Sequence, residues 1–143
     1  MPHLKPIIVT DCGPLIALAK LEHLHLLPLL FAKLYLPKTV YEEATLGVSS
    51  LDSEHIKQFV ANGTFAEVHN AARESAEIAK MVLLQSLLDT GEAEAICLAE
   101  KLRCPLLVDE KLARAVATRR GIPILGVLGV LIQIGRASCR ERV

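Results

Sequence analysis

Short apolar runs alternate with longer amphipathic stretches along nearly the whole of this chain. Lys5-Pro6-Ile7-Ile8-Val9-Thr10 is a continuous apolar run, the pattern of a strand covered on both faces in a parallel sheet. It stops at Asp11-Cys12-Gly13-Pro14, where Gly13 and Pro14 make a turn and Pro14 suits a first helical position. Leu15 to Leu30 predicts a helix interrupted near Pro28, and Lys33-Leu34-Tyr35-Leu36 a second strand. A helix then opens at Pro37 to Thr39 and carries Val40, Tyr41, Glu42, Glu43 and Ala44. Leu46 to Asp52 reads as a loop, after which Ser53 caps a helix to about Asn62. Thr64 to Val68 is a weaker third strand, followed by a helix from Arg73 to Leu88 and another from Gly91 to Leu102. Pro105 to Val108 is a fourth strand, Glu110 to Arg120 a helix, Ile122 to Leu125 a fifth strand, and Val127 to Ile134 a last helix.

Strands alternating with helices imply an α/β fold: a three-layer α/β/α sandwich around a mainly parallel sheet of about five strands. The 143 residues suit one domain, with 52% apolar residues to build its core. Aromatics are only 3% and Trp is absent, so Leu, Ile, Val and Ala must fill the interior. No apolar run approaches the ~18–20 residues that cross a membrane, and the amino terminus lacks a signal-peptide layout. The expected location is the cytoplasm. Gly135-Arg136-Ala137-Ser138-Cys139-Arg140-Glu141-Arg142-Val143 is abruptly polar and resembles translated cloning-vector sequence, so the domain is expected to span residues 1–134. Without that tail 13 basic residues face 15 acidic ones, a net charge of −2. Attraction to a nucleic acid would therefore have to be local.

In parallel sheets of this kind, sites form beyond the carboxyl ends of the strands. Asp11 and Asp109 each follow an apolar strand directly and stand at that edge. The helix after the second strand and the helix before the fourth also begin there, which brings in Glu43 and Glu92. Periodicity chooses between neighbours. Glu42 lies three after Thr39, a capping-box spacing, whereas Glu43 shares the face of Val40 and Leu46. Glu92 shares the stripe of Ile96 and Ala99, while Glu94 stacks with Leu98 and Lys101 on a flank. Each acid also has a structural reading: Asp11 and Asp109 as helix caps, Glu92 as partner of a capping Asp89, and Glu43 as a solvated carboxylate.

Four carboxylates at one edge repel one another, and a hard divalent cation such as Mg²⁺ or Mn²⁺ relieves that repulsion through oxygen ligands. The four cysteines show no C-x-x-C spacing and the five histidines are scattered, so the residues favour hard-ion chemistry over zinc.

These segments resemble the PIN-domain nucleases, in particular prokaryotic members with a D-x-G-P-L-I-x-L start. The matching stretches are Ile8 to Leu18, Leu36 to Glu43, Asp89 to Ile96 and Leu106 to Glu110, with Arg114 and Gly121-Ile122-Pro123 continuing the likeness over about residues 7–134. The resemblance implies Mg²⁺- or Mn²⁺-dependent cleavage of RNA, with Asp11, Glu43, Glu92 and Asp109 as the metal-binding acids. It also implies that the chain could be the toxin of a toxin–antitoxin pair, with an antitoxin protein as partner, and that it forms a homodimer. The family usually carries Ser or Thr after its first Asp, where this chain has Cys12.

The expected mechanism has Asp11 and Asp109 binding the metal directly, Glu43 and Glu92 completing or orienting its water shell, and water attacking the phosphorus. Lys111, Arg114, Arg119 and Arg120 would attract the RNA backbone or else form an ordinary solvated helix face. Two alternatives stand beside this: a catalytically inactive PIN-like module that binds RNA or protein, and an aspartyl-phosphate phosphotransfer protein. Against the second, Asp11-Cys12-Gly13 lacks the D-x-D signature, and no late strand-end Lys is evident.

Overall fold

The computed structural model describes residues 4–46, 50–70, 80–81 and 83–141. Strand β1 (Ile7–Thr10) leads into α1 (Cys12–Lys20) and a 3₁₀ turn (Leu24–Leu29) that contains Pro28. Thus the predicted helix from Leu15 to Leu30 is two pieces, parted between Lys20 and Leu24, where Glu22 takes a left-handed φ of 58° that an α-helix cannot contain; Pro28 lies inside the second piece. Next come β2 (Lys33–Pro37), α2 (Lys38–Leu46), α3 (Ser50–Ala61) and β3 (Ala66–His69). The predicted helix over Arg73–Leu88 falls mostly outside the described residues, although 80–81 and 83–85 are helical. The chain continues with α4 (Thr90–Leu102), β4 (Leu106–Leu107), α5 (Lys111–Arg119), β5 (Ile124–Leu125) and α6 (Val127–Glu141). Helix α6 therefore runs on past the Ile134 boundary that the apolar pattern suggested.

All pairings among the five strands are parallel, in the order β3-β2-β1-β4-β5. The chain moves outward from β1 through β2 and β3, then returns to the other side of β1 for β4 and β5. In sheets of this kind that reversal is where a crevice forms, at the carboxyl ends of β1 and β4. The ladder continues into the crevice: Asp11 N–H donates to Leu107 O at 2.9 Å, and Val108 N–H to Leu125 O at 2.9 Å. Register places Thr10 opposite Leu107, so Asp11 lies beside Val108, one residue before Asp109.

Period-two alternation splits the core into two layers. Val9, Leu106 and Val108 face one side, where Ile96 and Ala99 of α4 and Val116 and Ala117 of α5 cover them. Ile8, Leu34, Leu36 and Leu107 face the other, beneath Leu15 and Leu18 of α1, Val40 of α2, Ile56 of α3 and Val130 of α6. Burying each such aliphatic side chain contributes roughly 1.5–3 kcal/mol, which holds both helical layers onto the sheet.

Two local expectations change. Asp52 and Ser53 are not a loop and its cap: α3 starts at Ser50, and the buried Ser53 hydroxyl donates to Thr45 O at 2.6 Å, tying α3 to the end of α2. Leu46 is 79% exposed rather than inward; Val40 and Ala44 form the buried stripe of α2. Among the described residues no helix is long and apolar enough to cross a membrane.

Candidate metal centre

The acids of the crevice stand where helices begin. Asp11 is the N-cap of α1, Asp89 of α4 and Glu110 of α5. Short polar side chains favour that position because an orphan N–H of the first turn needs an acceptor. Asp89 accepts from Glu92 N–H at 2.8 Å while Glu92 Oε1 accepts from Asp89 N–H at 3.4 Å, a complete capping box. Glu110 accepts from Ala113 N–H at 2.8 Å. The capping role foreseen for Asp109 thus belongs to Glu110 at α5.

Asp11 occupies the N-cap position without a side-chain capping bond, so the capping role expected of it is not made. Asp11 is only 5% exposed, and its Oδ1 is buried without a hydrogen-bond partner. Burial pushes its pKa up to about 6 against an opposing hydrogen bond from the Cys12 N–H, and the charges of Asp89, Glu43 and Glu110 push it further up. Glu92 Oε2 is likewise buried and unpartnered. Burial, then the neighbouring carboxyl and charge of Asp89, with Glu110 and the charge of Asp11 adding to it, raise Glu92 to about 8. The N–H groups of Ala113 and Leu112 hold Glu110 below the usual carboxylate range.

Glu43 reaches the crevice from α2. Its Oε2 accepts from the Cys12 thiol at 3.3 Å, and its charge is among those acting on Asp11. Glu42 points elsewhere and pairs with Lys38 at 3.9 Å. The capping box expected between Thr39 and Glu42 is absent, since Thr39 lies inside α2 and its side chain hydrogen-bonds Glu94.

That contact brings in a residue the periodicity set aside. Glu94 is 9% exposed, has an unpartnered Oε2, and feels the charges of Glu43 and Glu42. Burial raises its pKa while the Thr39 hydrogen bond opposes the rise. The flank of α4 that appeared peripheral in the sequence is packed against α2. The only sequence signal was the closeness of Glu94 to Glu92 along the chain.

Asp109 stands at the end of β4, but its carboxylate is turned toward α6. Its Oδ1 accepts from Val127 N–H at 3.1 Å. Of the basic residues on α5, Lys111 lies in the first turn and Arg114 one turn on, near Asp109. Arg119 and Arg120 are at the opposite end of the helix. Arg120 is bound through its Nε and Nη2 to Glu100, which also pairs with Lys80 at 3.1 Å. Of these four, Lys111 and Arg114 stand at the end of α5 nearest Asp109.

Among the described residues no three His, Cys, Asp or Glu side chains stand as a ready-made metal-holding group. The residues nevertheless fit a hard cation on one observation. Buried carboxylate oxygens of Asp11, Glu92 and Glu94 lack a partner, and a divalent ion is the partner that oxygen donors of this charge accept.

The fold and the acidic edge can be set beside known proteins. A comparison with curated protein sequences finds no match. Among solved structures the chain is similar to PAE2754 from Pyrobaculum aerophilum, with a TM-score of 0.64, 18% identity, and coverage of 92% of this chain and 90% of that one. At that identity the likeness concerns the fold. The profile of the family DUF3368, described as a PIN domain, matches residues 7–141. That span takes in every strand, the helices that carry the acids and the whole crevice, and the chain accordingly belongs to the PIN-domain family.

Proposed function

We propose that this chain is a divalent-metal-dependent ribonuclease acting at the acidic crevice. PIN domains are generally nucleases. The observation that carries the finer reading is the set of unpartnered buried oxygens, Asp11 Oδ1 and Glu92 Oε2, at the switch point of the sheet. Asp11, Glu43 and Glu92 would hold Mg²⁺ or Mn²⁺, joined by the second oxygen of Asp109 and by Glu94. When bound, the cation polarises the phosphodiester and acidifies a water.

The chain's own residues do the rest. The β-ladder fixes Asp11, since its N–H is bonded across to Leu107. The capping box fixes the backbone from which Glu92 projects. The Glu92 carboxyl stands beside Asp89 and Glu110, and burial with the neighbouring acid Asp89 raises its pKa. Lys111 and Arg114 draw the RNA backbone to the crevice by charge. RNA as substrate, an antitoxin partner and self-association rest on the family resemblance.

Purified protein is incubated with RNA and Mn²⁺, beside Asp11→Asn. Cleavage by the wild type that Asp11→Asn removes is the expected result; equal cleavage by both would overturn the reading. A non-catalytic RNA-binding module is favoured by a different observation, the engagement of Asp109 Oδ1 with Val127. Calorimetry with no Mn²⁺ binding, alongside persistent RNA binding, would select it.

A further inference from the structure

We propose that Cys12 and Gly91 are positioning residues for Glu43, together setting where its carboxylate stands in the crevice. This inference rests on the metal-dependent reading above and adds the device that aims one of its acids.

Two independent contacts carry it. Cys12 Sγ, in the first turn of α1, donates to Glu43 Oε2 at 3.3 Å across 31 residues of sequence. Gly91, buried in the first turn of α4, faces the same carboxylate. A Cβ at Gly91 would stand 3.1 Å from Glu43 Oε1, 3.2 Å from Oε2 and 3.4 Å from the carboxyl carbon. An added methyl there would make the carboxylate give by a few tenths of an ångström, so the absence of a side chain at 91 lets α4 pack directly against it.

Physical chemistry supports both contacts. Glu43 is an exposed residue on a flexible stem, and without a tether its carboxylate would spread over several rotamers. A thiol is a weak donor, but a carboxylate acceptor strengthens the bond. The amino-terminal end of α4 presents its positive dipole end to the carboxylate at Gly91, which favours an anion there.

The test uses the full chain with Mn²⁺ alone, titrated by calorimetry, with thermal denaturation in EDTA run in parallel. Cys12→Ala should weaken Mn²⁺ binding about tenfold, the scale seen when a partner orienting a metal ligand is lost, with little change in Tm. Cys12→Ser should recover most of that loss, because a hydroxyl can donate in place of the thiol. Gly91→Ala should weaken binding by a comparable factor. Wild-type affinity in Cys12→Ala, or a Cys12→Ser protein no better than Cys12→Ala, would overturn the positioning role and leave the metal reading standing. A wild type that binds no Mn²⁺ would overturn both. Should Gly91→Ala fail to fold, the two Cys12 variants still decide.

Discussion

Asp109 Oδ1 accepts a hydrogen bond from the Val127 N–H at 3.1 Å, tying the end of β4 to the start of α6. The bond has the form of a helix cap supplied from 18 residues away. One oxygen of Asp109 is thereby committed to structure.

Gly126 must remain without a side chain for that arrangement to hold. A Cβ there would lie 2.7 Å from Asp109 Oδ1 and 2.8 Å from Arg114 Nη1. Gly126→Ala should cost about 1–3 kcal/mol, as overpacking usually does. Asp109→Asn, which keeps an accepting oxygen, should cost less than about 1 kcal/mol. Urea denaturation of the two variants measures both.

Glu94 should matter to the reaction and Glu42 should not. Glu94→Gln removes a buried carboxylate with an unpartnered oxygen, and cleavage should fall by about tenfold or more. Glu42 is exposed and pairs with Lys38 at 3.9 Å, a contact worth at most about 0.5 kcal/mol. Glu42→Gln should leave both cleavage and Tm near wild type. Initial rates at saturating Mn²⁺ distinguish the two.

Without a divalent cation, the crevice should make the protein less stable as pH rises. Asp11 and Glu92 have folded-state pKa values of about 6 and about 8, above their ordinary 3.8 and 4.5. The folded state thus binds more protons than the unfolded state between those values. Their contribution is complete below about pH 4 and is lost as pH rises through 6 and then 8. Tm in EDTA should fall between pH 5 and pH 8 relative to Asp11→Asn/Glu92→Gln, and Mn²⁺ should remove the difference. Parallel pH slopes for the two proteins would contradict this account.

Glu100 should show the opposite sign. Burial acts to raise its pKa, but the hydrogen bonds and charges of Arg120 and Lys80 prevail and lower it. Its contribution is present above the ordinary carboxylate pKa and is lost as pH falls through the lowered value. Glu100→Gln should cost about 1 kcal/mol at pH 7, given the partial exposure of all three partners. The difference should shrink toward pH 3 in thermal melts.

Much of this architecture was legible along the chain. Ile7-Ile8-Val9 and Leu106-Leu107-Val108 read as doubly covered strands, and they occupy the centre of the sheet and its β4 neighbour. Asp89 and Glu92 read as a capping pair, and the box is present. Where the reading faltered, a local rule met a tertiary competitor. Thr39 and Glu42 have capping-box spacing, but Glu94 takes the Thr39 hydroxyl. Ser53 has the identity of a cap, yet its hydroxyl is drawn to Thr45 O and the helix begins earlier.

The sequence by itself determined which residues end the strands and begin the helices, because hydrophobic period, caps and turn residues act within a few positions of one another. It therefore placed Asp11, Glu92 and Asp109 at one edge. Only the tertiary structure decided what those side chains meet there. The burial of Glu94, the bond from Cys12 to Glu43, the open face of Gly91 and the turn of Asp109 toward Val127 depend on which helices pack together. The three contacts among them each join residues 18 or more positions apart, and no periodicity within a single element encodes such a meeting.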